Sequence, residues 1–303
     1  MANISQEIKG LLKQRNKLRK EGRFEEADVL RQKIQSLEYN VVDQEDKTVI
    51  TKIAEIKAAP KKTFLVIFGS GEIAHSAVKV HEYALKNLNK QEVKIAIIST
   101  PAGFQPNVKV VHEEIKEFFL GHLQNFHPQV KIVYANTKIE ANDLRIIKPV
   151  QDADYIFIGP GSPTYAVKTL KDTLLYQKII EKVKSGTTLA IASAASIAFS
   201  KYALPVYEIY KAGSSLYWEE GLDFYTHFLR PLTIIPHFNN NEGGQKNDTS
   251  RCFVGLRRFN QLLNMLPKGE EVWGIDEHTA VLIETKTKKT VTMGKGKLHM
   301  AHL

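Results

Sequence analysis

From residue 63 onward, short apolar runs rich in β-branched residues alternate with longer amphipathic stretches, and this alternation limits the fold more than any other feature. The runs are TFLVIF (63–68), VKIAIIS (93–99), VKIVYA (130–135), DYIFIG (154–159) and TLAIAS (188–193). The stretches between them, such as SAVKVHEYALKNL and NVKVVHEEIKEFFLGHL, have the period of an amphipathic helix. Such alternation is typical of right-handed βαβ units. The sequence therefore predicts an α/β fold with a mainly parallel sheet, to which the last third of the chain adds mixed strands.

The N-terminal segment has a different pattern. Residues 3–38 place apolar side chains at a helical period among many charges, with Gly22 as a break between two helices. An extended pair, YNVVD and KTVITKI, follows around a polar turn, and AAPKK (58–62) is typical of a linker. We therefore predict a helical hairpin domain with a short β extension over residues 1–57, a linker over 58–62 and an α/β domain over 63–303.

Composition narrows the cellular setting and the partners. The formal net charge is +9 and the isoelectric point is near 9.3, which allows an acidic partner such as RNA, but the basic residues are scattered along the chain. Cys252 is the only cysteine, which excludes an internal disulfide and favours a reducing compartment. The first ten residues lack an apolar signal core, and no apolar stretch approaches the roughly 18 residues of a membrane span. We expect a cytoplasmic protein without a membrane segment.

Functional groups in open parallel sheets collect beyond the carboxyl ends of the strands, where helix N-termini also point. Four loops satisfy this condition: GSGE (69–72), STPAGF (99–104), GPGSPTY (159–165) and the SAAS turn that begins at Ser193. We therefore expect the functional site where these loops meet.

Ser193 is the candidate nucleophile. It ends an apolar strand and opens a helix of small residues, which is the arrangement that presents a hydroxyl at a sharp turn. Ile191 and Ala195 stand where glycines usually flank such a serine. The alternative is that the small residues only allow a helix to pack closely against the sheet.

A serine nucleophile needs a base, and ten histidines compete for that role. His237 is best placed, because it follows the apolar run LTIIP and precedes a polar loop, whereas His81 and His112 lie in helical patterns where a surface role is expected. The acid that orients the imidazole would come from GIDEH (274–278), as Glu277 or Asp276. An ordinary hydrogen-bonded histidine and ordinary turn acids are the alternatives.

Backbone N–H groups near Ser193 would stabilise an oxyanion. Pro160 has none to give, so we expect the donors to be Gly161 or Ser162 together with Ala194. A tight turn without a ligand is the alternative interpretation of GPGSP.

Further candidates for substrate contacts lie in the loops after two other strands. GSGE matches no nucleotide-binding motif, and we expect Gly71 and Glu72 to line the same pocket, with Glu72 contacting a basic or amino group. Asn239, in the polar loop after His237, is another candidate. No set of residues has metal-ligand spacing, so we expect neither a metal nor a cofactor.

Taken in order, GSGE, STPAGFQ, IFIGPGSPTYA, the Ser193 turn, IPHF and GIDEHTAVLIE resemble the cyanophycinase and aspartyl dipeptidase family of serine peptidases over residues 63–296. The resemblance implies a class I glutamine amidotransferase-like fold, a flavodoxin-like three-layer sandwich. It also implies a triad of Ser193, His237 and Glu277. Three segments depart from the family pattern: IASAA replaces GxSAG, PGS (160–162) replaces GGN, and PVYEIYK (205–211) with FNNNEGG (238–244) indicates a distinct branch.

The first 53 residues resemble the small C-terminal domain of cysteinyl-tRNA synthetases, and they are also similar to the helical hairpin of UvrB and UvrC proteins. RNKLRKEGRFEEADVLRQKIQSLEYNVVDQEDKTVI carries the resemblance. It implies a contact with tRNA, another RNA or a protein, and not synthetase activity.

Two functions therefore compete. The first is a serine hydrolase acting on the bond of a peptide or small amide. The second is a catalytically weak or inactive binding module whose hairpin docks on RNA or protein. Amidotransferase chemistry with another nucleophile ranks last, because Cys252 lies far along the chain in a helical pattern. Homodimerisation is left open.

Overall fold

The computed structural model describes residues 5–37, 39–44, 47–52 and 61–302. The chain divides into two compact units, Met1–Pro60 and Lys61–Leu303. Among the described residues, no helix combines the length and the apolar character that a membrane crossing requires.

The first unit contains two helices and a strand pair. Its elements are α1 (Gln6–Lys20), α2 (Phe24–Ser36), β1 (Tyr39–Gln44) and β2 (Lys47–Lys52), with β1 and β2 antiparallel. Gly22, at a φ of 77°, reverses the chain between the helices. Ile8, Ile34 and Val41 form a small buried core. The predicted helical hairpin with a β extension is therefore present.

An ion pair between a buried arginine and an exposed aspartate ties the first helix to the first strand. The Arg15 side chain is fully buried, and its guanidinium donates two hydrogen bonds to the Asp43 carboxylate. The bonds from Arg15 hold the pKa of the Asp43 carboxyl well below its usual range.

The second unit is the α/β part of the chain. Its strands are β3 (Phe64–Phe68), β4 (Lys94–Ile98), β5 (Gln129–Val133), β6 (Tyr155–Ile158), β7 (Thr188–Ala192), β8 (Tyr202–Ala203), β9 (Glu219–Glu220), β10 (Thr233–Ile235), β11 (Glu271–Ile275), β12 (Thr279–Glu284), β13 (Thr290–Gly294) and β14 (Leu298–His302). Its α-helices are α3 (His75–Lys86), α4 (Val108–His122), α5 (Leu144–Asp152), α6 (Pro163–Leu170), α7 (Leu174–Lys184), α8 (Ala194–Ala198), α9 (Val206–Tyr210) and α10 (Gly255–Leu263). Short 3₁₀ turns cover Thr100–Ala102, Gln124–Phe126, Glu140–Asn142 and Phe224–His227.

Seven strands of the described chain form the main sheet, in the order β13-β12-β3-β7-β6-β4-β5. Strands β3, β7, β6, β4 and β5 are parallel, and β12 runs antiparallel to both β3 and β13. The predicted α/β fold with a mainly parallel sheet is confirmed.

Helices cover both faces of this sheet, because successive side chains of a strand point to opposite sides. In β3, Val66 and Phe68 pack in one buried cluster with α3 and α4, whereas Leu65 and Ile67 pack in another with α5, α7 and α10. Two apolar faces explain why the strand sequences are continuous apolar runs rather than alternating ones. The result is a three-layer sandwich.

The last third of the chain was expected to extend the main sheet, and only part of it does. Strands β12 and β13 join the edge beside β3, whereas β10, β11 and β14 form a separate three-stranded sheet. The turn at 276–278 redirects the chain between β11 and β12, so that β11 pairs with β10 instead. Apolar character alone does not reveal which partner a strand takes, because every buried strand offers the same backbone donors and acceptors.

Candidate active site

Several loops converge at Gly69, just beyond the carboxyl end of β3. The Gly69 carbonyl accepts a hydrogen bond from the His237 N–H at 2.9 Å, and its N–H donates to the Thr279 carbonyl at 2.8 Å. A Cβ atom at Gly69 would lie 2.1 Å from the Asp276 carbonyl oxygen, so a larger residue would separate these segments. Glycine therefore lets the ends of β3, β10 and β11 meet at one point.

Ser193 forms a strained turn between β7 and α8. Its φ is 50° and its ψ is −116°, a combination that non-glycine residues rarely adopt. Ile191 and Ala195 are both buried, so the turn closes without flanking glycines. The Ser193 Oγ lies 3.1 Å from His237 Nε2.

His237 and Glu277 are brought together by the second sheet. Strands β10 and β11 are parallel, with Ile235 opposite Gly274, so the residues that follow each strand are neighbours. His237 Nδ1 lies 2.8 Å from Glu277 Oε1. Since the Glu277 carboxylate accepts a hydrogen bond from Nδ1–H, the Nε2 lone pair faces the Ser193 hydroxyl.

Glu277 is held by two asparagines from the loop after His237. The Asn240 side chain donates to Glu277 Oε1 at 3.0 Å, and the Glu277 N–H donates to Asn239 Oδ1 at 2.8 Å. The hydrogen bond from His237 is the main cause that lowers the pKa of the Glu277 carboxyl. The group is therefore a carboxylate at neutral pH. Asn239 supports Glu277 through this bond, and its predicted contact with substrate stays a prediction. Asn240 was not among the predicted site residues.

Asp276, the alternative acid, has other partners. Its Oδ1 lies 2.9 Å from His299 Nε2, and its Oδ2 accepts the Lys297 N–H at 3.0 Å. The sequence left two acids as candidates to orient the imidazole, and Glu277 is the one that forms a hydrogen bond with His237.

The predicted oxyanion donors differ in availability. The Ser162 N–H donates to the Pro101 carbonyl at 2.8 Å, so it is engaged. Gly161 and Ala194 line the same cavity as Ser193 and His237. Gly161 has a φ of 149°, and a Cβ there would lie 2.0 Å from the Pro101 oxygen. Of the expected oxyanion donors, Gly161 and Ala194 are therefore the ones that line the cavity.

Gly71 and Glu72 were expected to line the pocket, and the cavity wall at Ser193 includes neither. Gly71, at a φ of 68°, packs against His278, and a Cβ there would lie 2.4 Å from the His278 Nδ1. Glu72 is 8% exposed, and burial raises the pKa of its carboxyl.

The sequence of the α/β unit matches the model of a known protein family. The model of peptidase family S51 matches residues 65–291, which include Ser193, His237 and Glu277. The chain belongs to peptidase family S51.

Two solved structures have a similar fold to this S51 chain. The first is a crystal structure of a peptidase from an acI-B1 Actinobacterium, with a TM-score of 0.64 and 22% identity over 80% of this chain and 92% of that chain. The second is a putative peptidase E protein from Listeria monocytogenes EGD-e, with a TM-score of 0.53 and 18% identity over 78% and 100% of the two chains. No curated protein matched the sequence. The first unit lies outside the S51 match, and its resemblance to a cysteinyl-tRNA synthetase domain stays a prediction.

The cavity beside Ser193 in this S51 chain is small, about 50 Å³. Besides Ser193 and His237, its wall includes Tyr207, Cys252 and Phe253. None of these three was foreseen as a site residue, although PVYEIYK had been noted as a departure from the family pattern.

The helical setting expected for Cys252 is wrong. Arg251, Cys252 and Phe253 all have φ between 58° and 69°, and α10 begins only at Gly255. The left-handed turn points Cys252 at the cavity, and burial raises the pKa of its thiol. The thiol is therefore neutral and poorly nucleophilic.

The surface role expected for His81 and His112 is also wrong, because both are fully buried. His81 contacts the Tyr155 hydroxyl at 2.7 Å and the Glu72 carbonyl at 2.8 Å, and burial lowers its pKa to about 4. A neutral His81 thus anchors the loop that follows β3. Helical periodicity could not reveal the role of His81, since its partner Tyr155 comes from a distant segment.

Proposed function

We propose that this S51 chain is a serine peptidase in which Ser193 is the nucleophile, His237 the general base and Glu277 the carboxylate that orients His237. The observation that carries the proposal is the hydrogen-bonded series from Ser193 Oγ through His237 to Glu277, with distances of 3.1 and 2.8 Å. Both are within the reach that proton transfer requires. The proposed substrates are peptides or small amides, and the bond that is hydrolysed is their amide bond.

The geometry supports a two-step acyl transfer. Ser193 Oγ attacks the scissile carbonyl carbon while His237 Nε2 takes the hydroxyl proton, and the Gly161 and Ala194 N–H groups stabilise the resulting oxyanion. The C–N bond then breaks as His237 returns the proton to the leaving amine. Water, deprotonated by His237, hydrolyses the acyl-enzyme and regenerates the Ser193 hydroxyl.

Replacing Ser193 with alanine tests the proposal. Ser193→Ala is expected to lose labelling by a fluorophosphonate and to lower peptide hydrolysis at least about 10³-fold, because the acyl-enzyme cannot form. Ser185→Ala is the control: Ser185 is exposed at the end of α7, where its hydroxyl donates to the Lys182 carbonyl. Undiminished labelling of Ser193→Ala would refute the assignment of the nucleophile.

A second function rests on helix α1. Lys9, Lys13, Lys17 and Lys20 are all exposed and lie within about 80° of one another around the helix. Such a basic stripe matches the phosphate backbone of RNA. We therefore propose RNA contact by the first unit as an additional or alternative role.

A further inference from the structure

A groove of about 470 Å³ adjoins the cavity at Ser193. Tyr207 lines both spaces, and the loop at 161–164 separates them, with Gly161 facing the cavity and Thr164 the groove. The cavity is far smaller than the groove, about 50 Å³ against about 470 Å³. A peptide whose scissile carbonyl reaches Ser193 must therefore extend into neighbouring space, and the groove supplies it.

One carboxylate in this groove is fixed in position. Glu208, from α9, accepts a hydrogen bond from the Thr164 hydroxyl to Oε1 at 2.6 Å. The Thr164 hydroxyl lies 2.9 Å from Ser162 Oγ, which accepts the Tyr165 N–H at 3.2 Å. These contacts place Glu208 at the N-terminal end of α6, where the helix dipole favours a negative charge.

The second oxygen of this carboxylate has no partner. Glu208 Oε2 is shielded from solvent and accepts no hydrogen bond from any described residue. Nor does any described lysine or arginine form an ion pair with Glu208, and the nearby Lys168 is exposed at the groove. An acceptor without a donor is costly, and a donor in the groove gains this interaction once the Glu208 side chain turns Oε2 toward it.

Three aromatic side chains also line the groove. Phe104 and Tyr165 pack with ring centroids 5.1 Å apart, and Phe104 is 48% exposed. Tyr207, on the same helix as Glu208, is 39% exposed. Aromatic faces attract cations and also pack against the aliphatic stem of a lysine or arginine.

We propose that this groove is a subsite for a positively charged group of the peptide substrate, with Glu208 as the specificity-determining residue. Its role as a substrate subsite rests on the proposed peptidase function. The cation is either a lysine or arginine side chain or the terminal ammonium of the peptide, since each carries several N–H donors and a positive charge.

Binding to the full-length Ser193→Ala variant tests the subsite apart from turnover. The probes are fluorescent hexa-alanine peptides in which each position in turn is arginine or citrulline, its neutral isostere, and each peptide is made with a free and an acetylated N-terminus. An arginine side chain in the groove is expected to bind about 10-fold more tightly than citrulline at one position. If the ammonium is the ligand, acetylation gives the same loss instead.

The same preference should disappear in Ser193→Ala/Glu208→Gln. The matched control is Ser193→Ala/Glu181→Gln, because Glu181 is an exposed glutamate on α7, and it should keep the preference. Melting temperatures of all variants show whether they are folded. The preference for charged over neutral peptides is first measured in Ser193→Ala, which keeps Glu208. This measurement therefore still tests the subsite if Glu208→Gln unfolds the protein.

Equal binding of charged and neutral peptides, no binding of any peptide, or a preference that persists in Glu208→Gln would overturn the subsite. Hydrolysis by the unmodified chain is measured separately with the same peptides. Charge-dependent binding without hydrolysis would contradict the proposed peptidase function and leave the cation site standing. Hydrolysis without any charge preference would contradict the cation site and leave the proposed peptidase function standing.

Discussion

Ser193 shows how a single residue can hold a strained backbone without help from glycine. Ile191 belongs to β7 and is 1% exposed, and Ala195 is fully buried in the same cluster. Because both side chains fit the core, packing fixes the turn that glycine usually permits. The Ser193 hydroxyl still lies within hydrogen-bonding distance of His237.

Glu277 gives the sharpest prediction at the residue scale. Glu277→Gln should lower kcat/KM about 10³- to 10⁴-fold, because a neutral amide neither fixes the imidazole tautomer nor stabilises the imidazolium. Peptide hydrolysis by the purified variants measures the effect. Asp276→Asn is the matched control, since that neighbouring acid contacts His299 and not His237. An equal loss in both variants would contradict the assignment.

The lowered pKa of Glu277 also fixes the sign of a stability effect. A carboxyl whose pKa is lowered by folding stabilises the protein above its unfolded pKa, and that contribution is lost as the pH falls through the folded pKa. The melting temperature of Glu277→Gln should therefore lie below that of the unmodified chain at about pH 5 and above. The difference should shrink at lower pH.

The exposed lysines of helix α1 lead to a prediction about tRNA binding. Its lysines form one exposed stripe, while Arg15 on the opposite side is buried against Asp43. Replacing Lys13, Lys17 and Lys20 with glutamate should weaken binding of the full chain to tRNA at least about 10-fold at low salt, because three phosphate contacts become repulsive. Fluorescence anisotropy over a series of salt concentrations measures both the affinity and its salt dependence.

The control for that experiment carries the same change in charge elsewhere. Lys286, Lys288 and Lys289 are exposed in and beside the turn between β12 and β13. Reversing these three charges should leave the affinity for tRNA nearly unchanged. Equal weakening in both triple variants, or no binding by the unmodified chain at low salt, would exclude a specific RNA contact by α1.

At the scale of the whole molecule, the S51 match and every candidate catalytic residue fall within Lys61–Leu303. A chain lacking residues 1–60 should therefore keep its kcat/KM for small peptides within about twofold, because a unit with its own core folds independently. Circular dichroism confirms folding before the assay. A folded but inactive fragment would show that the first unit contributes to hydrolysis.

The fold class and the region of the site could be predicted from the amino-acid sequence alone. Continuous apolar runs such as FLVIF and TLAIA can be buried only between two layers of helices, so they predict a parallel sheet. Strand ends made Ser193 and His237 candidates with structural alternatives beside them, and the family resemblance favoured both as members of a triad. For the acid, the residues alone left Asp276 and Glu277 open, and the choice of Glu277 came from family resemblance.

The contacts between individual groups depend on tertiary packing and could not be predicted from the sequence. The pairing of β10 with β11 brings Glu277 to His237, the Pro101 carbonyl occupies the Ser162 N–H, and α9 carries Tyr207 and Glu208 to the groove beside Ser193. His81 became a core residue for the same reason, since its partner Tyr155 lies far along the chain. Local periodicity reports which face of an element is apolar, whereas hydrogen-bond partners far apart in sequence are chosen by packing of the whole chain.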